Sequence, residues 1–205
     1  MATLLDLLSS MIFGGVLLII ILNANDIAAE NHSVYNGDVL VQELLVSTAR
    51  LIEGEFRNMG FGVSEKQAAV TYADTSRIAF LCDLGRDGGF IDTVKYALGP
   101  TSELHRTQNE LDRYLYRGIN AGALLKVGVV TLFKLRFMTR SGEELPTPVS
   151  SDRRSEIHVV EVTMEVQNPY AISRRKTEIV EGQRTALYSS SLWQQTRLAS
   201  QNSRR

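Results

Sequence analysis

Between Leu7 and Asn25 no residue of this chain carries a charge, and that run limits what the rest can fold into. It is built from Leu7-Leu8, Met11-Ile12-Phe13 and Val16 to Leu22, interrupted by Ser9-Ser10 and Gly14-Gly15. As a helix rising 1.5 Å per residue it covers about 28 Å, one hydrocarbon core. A single acid, Asp6, stands at its lip. A carboxylate there is expensive in lipid, so it normally has a partner and a purpose. A cleaved secretory signal is the rival reading. Against it, the n-region lacks Lys and Arg, Asp6 sits where positive charge belongs, and no clean Ala-x-Ala site follows. A retained anchor is expected. Its topology is not written in flanking charge, because the first basic residue after the run is Arg50.

No proline precedes Pro100, so nothing forbids one long helix from Thr3 to about Met59. Such a helix is roughly 85 Å long, too long for one small domain to bury, so its first half must project. Gly14-Gly15 and Gly37 are the points where it can break. From Val41 an apolar stripe runs through Leu44, Leu45, Thr48, Leu51, Ile52, Phe56 and Met59, while Glu43, Arg50, Glu53 and Arg57 lie largely outside it. That spacing is an amphipathic helix with one buried face. Gly60 and Gly62 end it, since glycine readily takes a left-handed cap conformation.

Beyond Gly62 the period changes from 3.6 to 2. Ile78, Phe80 and Cys82 alternate with Arg77, Ala79 and Leu81, Arg86-Asp87-Gly88-Gly89 reads as a turn, and Val94, Tyr96 and Leu98 alternate next. Asp112 to Tyr116 is expected as a short edge strand. Val129, Thr131, Phe133, Leu135 and Phe137 give the cleanest alternation, with Lys134 and Arg136 outward. Ser141-Gly142 turns, and Pro146 and Pro148 keep that connection out of a sheet centre. Ile157 to Val166 is a long strand whose phase shifts at Val159-Val160, the sign of a bulge, and Asn168-Pro169 closes it. Thr185 to Leu198 is a last strand. The class is α+β, a long helix packed on an antiparallel sheet. The expected divisions are residues 1–25 (membrane or core half of the helix), 26–62 (amphipathic half), 63–200 (β-rich head) and 201–205 (frayed tail). The expected core joins Val41, Leu44, Leu51, Ile52 and Phe56 to Phe80, Tyr96, Phe133, Leu135, Val162 and Met164.

With Met1 removed, Ala2 is the free N-terminus, Thr3 second and Asp6 fifth. This arrangement resembles type IV pilins and pseudopilins, whose mature chains begin with a free, usually methylated amine, have Thr second and a carboxylate fifth. The family's acid is Glu where this chain has Asp6, and its basic leader ending in Gly is absent. Ala49 to Phe61, Asp83 to Leu98, Leu104-His105-Arg106-Thr107, Gly142 to Pro146 and Ile157 to Pro169 look, in that order, like minor pilins and J-type pseudopilins. The resemblance implies a structural filament subunit and not an enzyme, with no cofactor. The implied assembly residues are Ala2, Thr3, Asp6, Gly14 and Gly15. The implied partners are other pilin-like subunits, with the inner membrane before assembly. In that reading the head lies outside the cytoplasm, in a type IV pilus-like or type II secretion-like filament. A single-span envelope protein whose β-domain binds a partner without polymerising is the alternative, although it gives Asp6 no purpose.

Other chemistry is thin. His32, His105 and His158 fall in three separate elements, away from any carboxylate pair at metal spacing. No phosphate loop, nucleophile elbow or dinucleotide fingerprint is present. Asp83, Asp87 and Asp92 surround Gly88-Gly89, but Leu84 and Arg86 occupy positions where a calcium loop needs oxygen. Arg174-Arg175-Lys176 and Arg204-Arg205 read as solvated surface, and a net charge of −1 favours no nucleic acid. Cys82 stands alone, which rules out an intrachain disulfide, and its strand position reads as a buried inert thiol.

Overall fold

The computed structural model describes residues 2–64, 67–85, 90–105, 107, 109–168, 177–180, 183–186 and 190–199, with Trp193 the one described side chain after Asn168. Helix α1 runs from Ala2 to Arg57, 56 residues or about 84 Å, and passes through Gly14, Gly15 and Gly37 without a break. Its two halves have different environments. From Leu7 to Leu22 every large apolar side chain is exposed, whereas Val41, Leu45, Thr48, Ala49, Ile52, Glu55, Phe56 and Met59 are buried. The buried line steps by three and four residues and faces the head. Leu51, expected in the core, is 37% exposed. Its neighbour Ile52 occupies the centre of the buried line, which turns Leu51 about 100° toward solvent. Leu44 packs against the core only in part.

The helix stops where glycines take positive φ, 78° at Gly60 and 75° at Gly62. Gly60 N–H then donates to Leu81 O (2.7 Å) and Asp83 N–H to Phe61 O (2.9 Å), which ties the exit to the sheet. The first sheet has the order β1-β2-β3-β4-β5, all antiparallel: β1 Val70–Asp74, β2 Arg77–Cys82, β3 Asp92–Leu98, β4 Arg113–Ile119 and β5 Leu125–Val130. Ile78, Phe80, Cys82, Val94 and Tyr96 are fully buried as the alternation expects, but Leu81, expected outward, is buried too where Gly60 N–H reaches its carbonyl, and Leu98 is only half-buried. The strand expected at the edge from Asp112 to Tyr116 is instead β4, which lies between β3 and β5. Its buried Leu115 sits in that interior position.

The second sheet has the order β11-β8-β6-β7, from β6 Leu132–Met138, β7 Glu144–Leu145, β8 Val159–Gln167 and β11 Ser190–Ala199. β9 Thr177–Val180 and β10 Gln183–Ala186 form a separate antiparallel pair. Three sequence expectations change here. The alternation from Val129 to Phe137 spans two strands in two sheets, because Thr131 N–H donates to Glu165 O (2.9 Å) and the chain changes sheet there. The irregularity expected at Val159-Val160 is absent from the β6–β8 register; the β8–β11 ladder shifts instead, between Gln195 and Leu198 opposite Val162 and Val160, with the extra residue on β11. Thr185 to Leu198 is divided between β10 and β11. The edge of β1 is covered: Arg154 Nη1 donates to Thr71 O (2.5 Å), and Val149 and Leu135 N–H groups donate to Ala73 O (2.9 Å) and Thr75 O (2.7 Å).

In the core, Phe56 meets Phe80 edge-on at 5.1 Å and Tyr96 at 5.6 Å between ring centroids. Phe133, Leu135, Val162 and Met164 are buried as expected. The turn expected at Arg86 to Gly89, together with Arg106, Pro169, Arg174 to Lys176 and the tail 201–205, lies outside the described residues.

Candidate assembly interface

The projecting half of α1 is a bare apolar rod. Phe13 is 74% exposed and Ile20 61%, and the apolar residues of this half surround the axis without forming a single stripe. A helix that is hydrophobic all round belongs in lipid or inside an assembly of helices. Among the described residues α1 is the one helix long and apolar enough to cross a membrane. Its backbone is satisfied internally, and Ser10 Oγ returns a hydrogen bond to Leu7 O (3.3 Å). Gly14 and Gly15 have open space where a Cβ would stand, so another helix can approach closely there.

Thr3 and Asp6 lie exposed in the first turns, with Ala2 beginning the helix. Among the described residues none pairs with Asp6, and the helix lends it no other charged group before Asp26. The five predicted assembly residues thus share one rod, Ala2, Thr3 and Asp6 at its tip and the two glycines two to three turns further on.

Sequence reasoning missed a polar clamp between α1 and the first sheet. Glu55, 9% exposed, accepts Tyr96 Oη–H at 2.5 Å and Arg117 Nε–H at 2.8 Å, and Arg117 Nη2 closes a second bond to the same carboxylate. The pair is bidentate and mostly withdrawn from water, a geometry that fixes orientation more than it adds stability. Burial pushes the Tyr96 phenol well above its usual range, and the Glu55 carboxylate adds to the shift. Cys82 nearby is fully buried as expected, and burial followed by Glu55 pushes its thiol up to about 11. The available signal was Glu55 itself, an acid inside the apolar stripe between Ile52 and Met59.

A second buried acid is unmatched. Asp112 is 1% exposed, and among the described residues neither carboxylate oxygen finds a hydrogen-bond partner. Burial raises its pKa. Thr107 does not satisfy it, since that hydroxyl is directed at Leu104 O (2.8 Å). Elsewhere, His32 and His105 are exposed and His158 half-buried, in separate elements. Asp83 accepts Gly85 N–H (2.7 Å) and Asp92 accepts Asn120 Nδ2–H (2.7 Å), so both serve local turns.

No family model matches this chain, and neither does any curated protein. Among solved structures, a type IV-like pilin from Thermus thermophilus is similar over 77% of this chain and 96% of its own, at 13% identity and a TM-score of 0.41.

Proposed function

We propose that this chain is a pilin-like structural subunit that polymerises through the first half of α1. The observation that carries the proposal is an uncharged, fully exposed helical rod continuous with a helix locked into a folded head. Before assembly the rod sits in the inner membrane with the head outside the cytoplasm. On assembly the same apolar surface leaves lipid for neighbouring helices, so the hydrophobic gain is near zero and packing with external work must drive the step. Other pilin-like subunits are the partners. Minor pilins and J-type pseudopilins are the group that the order of segments along the chain most resembles.

Asp6 supplies register in this reading. Its carboxylate pairs with the α-amine of Ala2 on an adjacent subunit, in a core where an unpaired charge is strongly unfavourable. A single axial offset satisfies both charges. Comparing Asp6→Ala and Asp6→Glu for incorporation into the native assembly, at equal membrane levels, tests this. Loss for the Ala variant with retention for Glu is expected. Normal incorporation of Asp6→Ala would overturn the register role, and a wild-type chain found only as a monomer in its envelope would overturn the filament.

A further inference from the structure

Two neighbouring faces of α1 have the spacing needed to serve as its buried side. The head covers Val41, Leu45, Thr48, Ile52 and Phe56, which step by four, three, four and four residues. One residue back, Leu40, Leu44, Ser47, Leu51 and Glu55 repeat the same steps. Turning the helix by about 100°, with an axial advance of about 1.5 Å, would put the second set where the first now sits. Most sites would then be refilled in kind: Leu for Val, Leu for Leu, Ser for Thr and Leu for Ile, with Thr48 in the place of Ala49. The core already reaches this flank, since Leu44 packs against it in part. On the other flank Gln42, Glu53 and Arg57 are polar, so no third face competes.

The last site discriminates. There Glu55 would replace Phe56 against Phe80 and Tyr96, driving a carboxylate into an apolar centre. In the observed setting the same carboxylate stands at the border of that centre and holds Arg117 and the Tyr96 hydroxyl. Apolar burial separates the two faces weakly, because the side chains exchanged are so alike. One charge separates them strongly, as a single buried polar residue does when it fixes the register of packed helices.

We infer that Glu55 selects which face of α1 the head buries, and thereby sets the direction in which Asp6 is presented relative to the head. The helix is unbroken from Ala2 to Arg57, so its tip and the clamp turn together although they stand about 74 Å apart. A change of face would swing the head by about 100° around the rod and leave the rod's own surface unaltered. The inference rests on the filament reading above, in which adjacent rods pair Asp6 with Ala2 while the heads keep one direction. Glu55 is a positioning residue in that assembly, acting through the helix.

Strand β5 carries a place to read the setting. A Cβ on Gly128 would stand 3.1 Å from Thr48 Oγ1, whereas Ser47 is exposed one helix position away. In the full-length chain held in detergent, Thr48→Cys/Gly128→Cys should close a disulfide and Ser47→Cys/Gly128→Cys should not. The native Cys82 stays silent because it is fully buried. Adding Glu55→Met, Arg117→Met and Tyr96→Phe removes the clamp without stranding a charge or a hydroxyl, an exchange that often leaves stability unchanged. The Ser47→Cys disulfide should then rise about tenfold, with the melting temperature of the head retained. Glu55→Gln alone, whose amide is still excluded from an apolar centre, should keep the original pattern. A clamp-free chain that closes only the Thr48→Cys disulfide would overturn the inference. Its failure to fold would overturn it too, by making the clamp a stabiliser and not a selector. Both results are read on single chains, so they leave the proposed function standing. In the native envelope the clamp-free variant should enter filaments about tenfold less than wild type, and equal entry would overturn the link to Asp6. Absence of filaments from the wild type would remove the proposed function and that link, and leave the choice of face in place.

Discussion

The two halves of α1 use their apolar side chains in opposite ways. Residues 7–22 are apolar round the whole circumference and stand exposed, while residues 41–56 bury one line of apolar groups, completely at Ile52 and Phe56, and leave Val46 and Leu51 outside it. The second half is therefore held by the head, and the first only by its own hydrogen bonds until a bilayer or another helix covers it. Stability and assembly are separable along one continuous helix. Substitutions on either side of Gly37 should then report different properties.

The largest contrast is expected between Phe56→Ala and Ile19→Ala. Phe56 is wholly enclosed by Phe80 and Tyr96, so its truncation should cost about 3–5 kcal/mol in thermal unfolding of the head. Ile19→Ala should leave that transition in place, and a common loss would break the division between halves. Next comes the clamp. Glu55→Ala strands Arg117 and the Tyr96 hydroxyl in a mostly buried place, for a loss of about 3 kcal/mol measured by denaturant unfolding.

Asp112 should give a smaller, pH-dependent effect. Its folded pKa is raised by burial, so its favourable contribution is complete below the unfolded value and lost as pH rises through the folded one. Asp112→Asn should flatten that decline and exceed the wild type by about 1 kcal/mol at neutral pH, read from melting curves at pH 4 and pH 7. A wild type whose stability rises over that interval while Asp112→Asn stays flat would contradict this. The smallest change is Gly15→Ala. With open space at its Cβ position it should strengthen the detergent-solubilised helix by about 1 kcal/mol, seen as slower amide exchange around residues 10–20.

Much of this architecture was legible because periodicity is local. The uncharged run, the stripe from Val41 and the glycine stop all act within a few turns of helix, and Ile78, Phe80, Val94 and Tyr96 keep the period of two on β2 and β3. The misreadings arise where long-range placement decides. Alternation from Val129 through Phe137 slips by one residue at the change of sheet, since Val130 is the buried residue on β5 while Phe133, Leu135 and Phe137 are buried on β6 and Thr131 N–H moves to Glu165. Glu161 is buried beside Val160 and Val162 because Arg136 on β6 reaches it at 3.1 Å, so a polar residue occupies a covered position that looked like a phase shift. The strand expected at the edge, Asp112 to Tyr116, stopped short of Arg117, whose place on β4 is interior. Arg117 is inside because Glu55, 62 residues earlier, meets it there. The tip residues Ala2, Thr3 and Asp6 were identified by resemblance, and among the described residues none pairs with Asp6.

The central claim is that the exposed rod is covered by like rods. Imaging the native assembly at a resolution that traces helices tests it directly. The account predicts parallel α1 helices at the axis of a filament, with residues 7–22 about 8–10 Å from neighbouring helix axes and the heads outside. Isolated subunits whose rods contact only lipid, with no such bundle in the native envelope, would contradict it.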